Sequence, residues 1–393
     1  MRRLLILACA VVFLDVTFFS VLTPLLPSYE ADHHLSEGGL GVLAGSFAAG
    51  SLVFSIPGGW LVAQIGARKT LVIGLIGIGV CSPLFGFAKE ILLLDLLRFF
   101  QGGSGALMWA GAIAWVVVAA PTDRRGEMLG IVMAAAVVGE LLGAPLGALV
   151  HQVGTEIVFS IVLLAAAILI AIALNISGPP EVESQPLAEA WHRVRRSDVP
   201  RGVIMLAGPS VAFGVLVVVG PLRMDDLGAS PFVIAAAFAS GSIVEAVIGP
   251  VIGRISDRVG RTLPYLIGVG AMAVAVIGLG LFDLLPLIFG VVMVMAFGAG
   301  MVFTPASTLV TDTASAAGLN QGYASGLSNT AWGGGQVLGT MGSGALAGAA
   351  GYLLPCLIVA ALLGAVGAVA KSLGIGPPLV SDVNEEMGVA DGG

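Results

Sequence analysis

Charged residues are scarce in this sequence. Lys, Arg, Asp and Glu together make up 10% of the 393 residues, whereas a water-soluble domain carries about a quarter. This shortage excludes a soluble globular enzyme. Apolar residues account for 57% of the chain, and the mean hydropathy is +1.03. Both values indicate an integral membrane protein.

Cysteine and histidine are also rare. Cys9, Cys81 and Cys356 lie in separate apolar runs, and the four histidines have no metal-ligand spacing. The sequence therefore suggests neither a disulfide framework nor a metal site, and we expect no cofactor. The net charge of −7 gives no support to nucleic-acid binding.

Long apolar runs are the most prominent feature of the sequence. A spanning helix needs about 20 such residues, and breaking the runs at charges, prolines and glycine pairs predicts twelve spans. They cover approximately residues 4–28, 38–63, 70–87, 92–119, 126–150, 156–175, 202–222, 231–253, 263–282, 284–309, 322–346 and 352–373.

Basic residues are distributed unevenly between alternate loops. Fourteen of the seventeen lie on the side of the N-terminus, Lys89 and Arg223 lie on the other side, and Arg98 lies inside a span. Because Lys and Arg near span ends stay in the cytoplasm, we expect both termini to be cytoplasmic in the inner (plasma) membrane.

A charged connection follows the sixth span and divides the chain. We expect a six-helix bundle over residues 1–176, a cytoplasmic linker over 177–200 and a second bundle over 201–373. Residues 374–393 are acidic and rich in glycine, which predicts a disordered cytoplasmic tail.

A short pattern recurs at an offset of 194 residues. Aligning Gly66 with Gly260 also aligns Gly59 with Gly253. Two six-span repeats with a binding site between them are a transporter architecture.

The second copy of this pattern resembles a signature of the major facilitator superfamily. It consists of Gly253, Asp257, Arg258, Gly260 and Arg261, and the first copy retains Gly59, Gly66 and Arg68. We expect Gly253 to permit close helix approach, and Asp257 to pair with arginines and hold one conformation. The resemblance implies two pseudo-symmetric six-helix bundles in an all-α membrane protein.

The fourth span contains a charged residue that we expect to be buried. Arg98, Gln101 and Gly102 resemble a second signature of that family, RxxQGxG. An arginine inside a span costs about 2.5–3.5 kcal/mol on insertion scales and needs a partner, so it marks a functional site. Alternatively, Arg98 extends toward the membrane surface or pairs with Asp95 on the same helix.

The fifth span resembles the antiporter signature GxxxGPxxGG through Gly143, Pro145 and their glycine neighbours. Small residues at this spacing allow close helix packing, and the proline loosens the backbone. We expect this segment to bend or seal the transport path.

Asp15 lies near the middle of the first span. Its segment resembles the drug:proton antiporter branch, including vesicular amine transporters and bacterial multidrug efflux proteins. A low dielectric disfavours a charged carboxylate and a nearby arginine favours it, so Asp15 suits a proton carrier with Arg98 as its modulating partner. The alternative is a permanent structural pair between Asp15 and Arg98.

Two further acidic residues, Glu140 and Glu245, lie within spans. Each is a candidate for proton coupling or substrate binding, or it lines water or lies protonated in a packed core. Asp312 matches an acidic position of the resembled family, and Asn329 replaces an aspartate of the amine transporters. With Asp15, these four are the tentative substrate-binding residues.

The sequence thus predicts a secondary transporter, not an enzyme, that exports a small lipophilic or cationic molecule in exchange for protons by alternating access. We expect a monomer in the lipid bilayer. The alternatives are a proton-coupled uptake symporter for a small metabolite and a non-transporting receptor or scaffold.

Overall fold

The computed structural model describes residues 1–121, 124–176 and 185–374, and these residues form helices and no strand. The α-helices are α1 (Arg2–Ser20), α2 (Leu26–His33), α3 (Glu37–Ile65), α4 (Ala67–Phe87), α5 (Ile91–Ala119), α6 (Arg125–Val153), α7 (Thr155–Leu174), α8 (Leu187–Arg195), α9 (Val199–Asp226), α10 (Pro231–Val259), α11 (Thr262–Leu281), α12 (Leu285–Ala316), α13 (Gln321–Ala350) and α14 (Leu353–Leu373). The predicted tail, apart from Gly374, and residues 177–184 of the predicted linker lie outside the described part.

Eleven spans in the described residues are long and apolar enough to cross a membrane. The first combines α1, a 3-10 turn at Thr23–Leu25 and α2, because Pro24 and Pro27 interrupt regular α-helical hydrogen bonding. The eleventh predicted span, 322–346, is helical as part of α13 but falls outside that group. Its polar and small residues pack against other helices, so it buries Gln336 and Thr340 away from lipid.

Helix boundaries follow local sequence. The Ser36 hydroxyl accepts a hydrogen bond from the Gly39 amide at 3.2 Å, and the Asn320 side chain accepts one from the Tyr323 amide at 3.0 Å. Both are side-chain caps of a helix N-terminus. Gly66 and Gly260, the repeat-related pair, have φ values of +88° and +84°. Only glycine adopts such values at low cost, and both glycines separate consecutive spans.

Buried apolar side chains form two large clusters. One draws on residues 4–173 together with Val217, Val218 and Leu222 of α9, and the other extends over residues 190–370. We refer to α1–α7 as the N-half and to α9–α14 as the C-half. The participation of α9 in both clusters links the two halves near the C-terminal end of this helix.

Glycine and alanine dominate the contacts between the halves. A methyl group added at Gly41 would lie 3.2 Å from the Gly344 Cα, and one added at Gly59 would lie 2.5 Å from the Gly322 carbonyl oxygen. The helices α3 and α13 therefore touch near both of their ends. On the other side of the bundle, Ala144 and Ala148 of α6 pack with Ala235 of α10.

Alternating helix direction gives the bundle two chemically different ends. The end at which α1 begins carries Arg2, Arg68 and Arg201, and we call it the basic face. The opposite face carries acidic side chains, among them Glu37 and Asp226. Helix α8 lies at the basic face, between the last span of the N-half and the first span of the C-half.

Candidate functional site

Asp15 is buried between α1 and α5, with 4% of its surface exposed. The Trp109 indole nitrogen donates a hydrogen bond to Asp15 Oδ2 at 2.8 Å. A Cβ added at Gly105 would lie 3.0 Å from the Asp15 Cγ, so only glycine leaves room for this carboxyl. Within the described residues, Asp15 Oδ1 has no hydrogen-bond partner. The site therefore keeps one carboxyl oxygen available to a proton or ligand.

Arg98 is buried in the same region, with 1% exposed. Its Nη1 donates to the Phe18 carbonyl at 3.2 Å and to Gln101 Oε1 at 2.9 Å. Its guanidinium also lies 4.9 Å from the centre of the Phe47 ring, a cation–π contact. Arg98 therefore turns inward to the backbone of α1, and the alternatives of surface extension and of pairing with Asp95 are wrong.

Asp15 and Arg98 lie close together but do not form an ion pair. The carbonyl groups that accept from Arg98 belong to Phe18 and Phe19, at about one helical turn from Asp15. The charges interact electrostatically, but none of the ion pairs in the described part of the chain joins them. A permanent structural pair, the rival interpretation of Asp15, is therefore not what this conformation contains.

The RxxQGxG segment packs α5 against its neighbours. Gln101 Nε2 donates to the Ser82 hydroxyl of α4 at 3.4 Å. A Cβ at Gly102 would collide with the backbone carbonyl of Phe47 on α3. These contacts hold the helix that carries Arg98 and Trp109 at a fixed distance from α3 and α4.

Glu140 of α6 borders a cavity of about 10 Å³ between the two halves, with room for about one water molecule. The cavity is lined by Phe19, Ser20, Thr23, Glu140, Ala144, Phe213, Val217, Phe238 and Ser242. Phe19 lies one turn after Asp15 on α1. Four helices, two from each half, thus contribute residues to this cavity, and Glu140 is the ionisable residue in its lining.

Glu245 of α10 approaches Glu140 from the opposite half. The charge of Glu140 acts on the Glu245 carboxyl, and the Ser242 side chain interacts with Glu140. Both glutamates are partly exposed. Like charges at short range favour sharing of protons over simultaneous ionisation. The structure therefore brings together two of the residues that the sequence could only name separately.

Aromatic rings line this interface, and none of them was predicted from the sequence as a site residue. Phe19 lies 5.2 Å from Phe47 and 5.5 Å from Trp332 between ring centres, and the second contact crosses from the N-half to the C-half. Trp109 was also missed. The available signal was its spacing: Trp109 follows Gly105 by one turn, and Phe19 follows Asp15 by one turn.

Asp312 does not lie at this interface. Its Oδ2 accepts from Arg261 Nη1 at 2.7 Å, near the basic end of α12. In this conformation the Asp312 carboxylate is engaged by an arginine of the second loop signature, and its role in substrate binding stays a prediction. Asn329 is partly buried on α13.

The signature residues have distinct placements. Arg68 Nη1 donates to the Ile176 carbonyl at 3.2 Å, which joins α4 to the end of α7. Gly253 was expected to permit close helix approach, but this is wrong: a Cβ there would meet no described atom within 4 Å. Gly59, its counterpart in the first repeat, is the glycine in close contact. The side chains of Asp257 and Arg258 lie outside the described part.

In the antiporter-like segment of α6, small residues face α1. A Cβ added at Gly143 would collide with the Thr17 carbonyl and would lie 2.7 Å from the Ser20 Cβ. Pro145 lies inside the helix two residues later and cannot donate the usual backbone hydrogen bond. Close packing beside a weakened backbone fits the expected bending or sealing role.

Membrane-spanning helices in two halves, with ionisable side chains at the interface between them, are the architecture that many secondary transporters share. The family profile described as Major Facilitator Superfamily matches residues 8–340 and 210–388, and the chain belongs to this family. The resemblance noted in the sequence is confirmed: the chain is a multi-pass membrane protein with the family and fold of major facilitator transporters, which are not enzymes.

Curated relatives match about two fifths of the chain. The MFS-type transporter ppzB of Metarhizium rileyi is 29% identical over 172 residues, which are 41% of this chain and 34% of that protein. Multidrug resistance protein 1 of Bacillus subtilis is 28% identical over 174 residues, 44% of each chain. Quinolone resistance protein NorA of Staphylococcus aureus is 26% identical over 148 residues, 38% of each chain. The matched region thus spans less than half the length of these relatives.

Solved structures match nearly the whole chain. The human organic anion transporter MFSD10 has a TM-score of 0.72 at 14% identity, covering 94% of this chain and 99% of that one. A D-xylose-proton symporter has a TM-score of 0.74 at 16% identity, covering 95% and 96%. These similarities confirm the expected all-α major facilitator fold.

Proposed function

We propose that this transporter exports a small lipophilic or cationic molecule in exchange for protons. Two units, residues 1–176 and 201–373, move against each other around the linker 177–200 and expose the site alternately to each side. The observation that carries the proposal is the buried Asp15 carboxyl, which has one oxygen bound to Trp109 and the other without a described partner.

This placement of Asp15 suits a proton carrier. A carboxyl in a low dielectric is costly when charged and unpaired, so it either takes a proton or gains a compensating cation. Trp109 stabilises the charged form through its N–H, and the open Oδ1 accepts the proton. Substrate and proton then compete for one carboxylate, which is the basis of exchange.

Arg98 serves as the modulating partner. It lies close enough to favour the charged form of Asp15 electrostatically, yet its hydrogen bonds go to backbone carbonyls and to Gln101. A movement of α1 relative to α5 would change the distance between the two charges. The proton affinity of Asp15 would change with it, which couples proton binding to conformation.

The interface chemistry supports a lipophilic or cationic substrate. Glu140 and Glu245 supply negative charge, and Phe19, Phe213 and Phe238 supply apolar and aromatic surface around the same cavity. Aromatic faces and carboxylates together attract organic cations. Because the cavity now holds only about 10 Å³, a substrate would enter when the halves separate.

The names of the relatives agree with the proposed direction of transport, which is export. A multidrug resistance protein and a quinolone resistance protein are among the proteins similar to this chain. We propose a monomer in the plasma membrane. The distribution of basic residues supports cytoplasmic termini and a cytoplasmic basic face.

Reconstitution into liposomes with an imposed pH gradient tests the proposal. A panel of fluorescent cationic dyes, neutral drugs, organic anions and a sugar would be supplied inside or outside. Antiport predicts that a dye or drug moves uphill against the direction of proton flow. Uphill movement together with protons would instead establish the symporter alternative, and movement of no substrate would favour the receptor.

A further inference from the structure

Helix α8, in the connection between the halves, has two different sides. Ala190 and Val194 are buried in the apolar cluster of the C-half. Leu187 and Trp191 are 49% and 53% exposed. Residues four apart lie on one stripe of a helix, so Leu187, Trp191 and Arg195 form an exposed stripe next to the buried one. We call these three residues the α8 stripe.

The charge around this stripe is positive. The Arg195 guanidinium lies 5.4 Å from the centre of the Trp191 ring, and Arg196 follows it on the surface. Glu189, the acidic residue of α8, is occupied by Arg193 at 2.6 Å. Ion pairs in the described part of the chain do not include Arg195 or Arg196. An exposed tryptophan and leucine bordered by arginines match an anionic bilayer surface.

The same segment is tied to the turn between α12 and α13. Gln185 Nε2 donates to the Gly318 carbonyl at 3.0 Å, and the Asn320 amide donates to Gln185 Oε1 at 3.1 Å. The Tyr323 hydroxyl donates to the Gln185 carbonyl at 2.9 Å, and Arg193 Nη1 donates to the Gly318 carbonyl at 3.1 Å. These bonds connect α8, and Gln185 two residues before it, to the first turn of α13.

That first turn of α13 forms the contact between the halves at the basic face. Gly322, adjacent to Tyr323, packs against Gly59 of α3 so closely that a Cβ on either glycine would meet the other's carbonyl oxygen within 3 Å. Gln185 is thus hydrogen-bonded to Asn320 and Tyr323, within two residues of Gly322, so a displacement of Gln185 can alter this contact.

We propose that α8 is a membrane-surface helix that docks its stripe on anionic lipid, and that docking holds the start of α13 against α3. Anionic lipid would thereby favour the conformation closed at the basic face. The proposal concerns the conformational equilibrium and does not depend on the identity of the substrate or on proton coupling.

Tryptophan fluorescence of the full chain in nanodiscs tests the docking step. The discs contain phosphatidylcholine alone or phosphatidylcholine mixed with phosphatidylglycerol, with brominated acyl chains as quenchers. Subtracting the Trp191→Phe spectrum isolates the emission of Trp191. We expect this emission to be quenched, and more strongly with phosphatidylglycerol. Trp191 emission that brominated lipid leaves unchanged would overturn the proposal.

The coupling step is tested by spin-label distances between Gln64 and Ser315, on the basic ends of α3 and α12, in a background without the three native cysteines. We expect phosphatidylglycerol to shift the population toward short distances. Arg195→Gln/Arg196→Gln should lose this shift, whereas the matched pair Arg2→Gln/Arg3→Gln on the same face should keep it. Equal responses of the two pairs would overturn the proposal, because general surface charge would then explain the effect.

Gln185→Ala separates docking from coupling. This change removes the side-chain bonds to Gly318 and Asn320 and leaves the α8 stripe intact. We expect Trp191 quenching to persist and the lipid-dependent distance shift to become smaller, because the bonds from Arg193 and Tyr323 remain. A shift of wild-type size in Gln185→Ala would overturn the role of the side-chain bonds in closing the basic face.

Discussion

Trp109 of α5 donates a hydrogen bond to Asp15 of α1 across 2.8 Å. The bond joins the helix of the predicted proton carrier to the helix that also carries Arg98. It favours the charged carboxylate, because an ionised acceptor strengthens an N–H donor bond.

Replacing Trp109 by phenylalanine should therefore weaken the charged form of Asp15. A hydrogen bond to a charged group contributes about 1.5–3 kcal/mol. We expect Trp109→Phe to move the pH midpoint of substrate-induced proton release upward, with the protein still folded. Proton release measured with a pH dye on purified protein checks this, and Trp115→Phe, at a buried tryptophan on the same helix, is the control. An unchanged midpoint would mean that the indole only fills space.

Arg98→Ala tests the electrostatic partner. Loss of the positive charge disfavours the ionised carboxylate, so protons should be retained to higher pH and the midpoint should move upward. Arg98→Lys should keep part of the effect, because the charge remains while the planar fork that serves Gln101 and the α1 carbonyls is lost. Equal pH profiles for wild type and Arg98→Ala would assign Arg98 a packing role alone.

The carboxylates of Glu140 and Glu245 should act as one unit. Because the charge of one acts on the other, Glu140→Gln and Glu245→Gln should each alter proton release, and the double variant should differ from the sum of the two. Calorimetry in buffers of different ionisation enthalpy counts the protons released on substrate binding. Glu127→Gln, at an exposed position of α6, is the control. Additive effects would contradict a shared site.

The contact between Gly59 and Gly322 should control closure of the basic face. A methyl group at Gly59 would lie 2.5 Å from the Gly322 carbonyl, so Gly59→Ala should favour separation, by about tenfold for each 1.4 kcal/mol. Gly253→Ala is a matched control, because Gly253 occupies the equivalent repeat position and a Cβ there would meet no atom of the described residues within 4 Å. Spin-label distances across the basic face should change in the first variant only; a change in both would indicate general helix disturbance.

The helices were predictable because lipid demands long apolar segments with internally satisfied backbones. The predicted span 38–63 is part of α3, for example, and the glycine repeat appears as Gly66 and Gly260 in the same backbone conformation. The end of the first span was less predictable, because Pro24 and Pro27 convert one helix into two helices and a 3-10 turn.

Contacts between helices that are far apart in the sequence could not be predicted from the sequence. Asp15 and Trp109 are 94 positions apart, and no local periodicity relates them. Asp312 could be recognised only by its match to an acidic position of the resembled family, and its pairing with Arg261 depends on how the chain turns at Gly260. Gly253 differs from Gly59 for the same reason: an identical local pattern meets different neighbours in the two halves.

We propose that proton exchange at Asp15 drives transport. The most direct measurement compares wild type and Asp15→Asn in liposomes, following accumulation of a transported dye under a pH gradient and dye exchange without one. Asparagine keeps the size and the Trp109 bond but cannot ionise, so we predict that accumulation is lost while exchange at equal concentrations persists in part. Accumulation by Asp15→Asn at the wild-type rate would contradict the account.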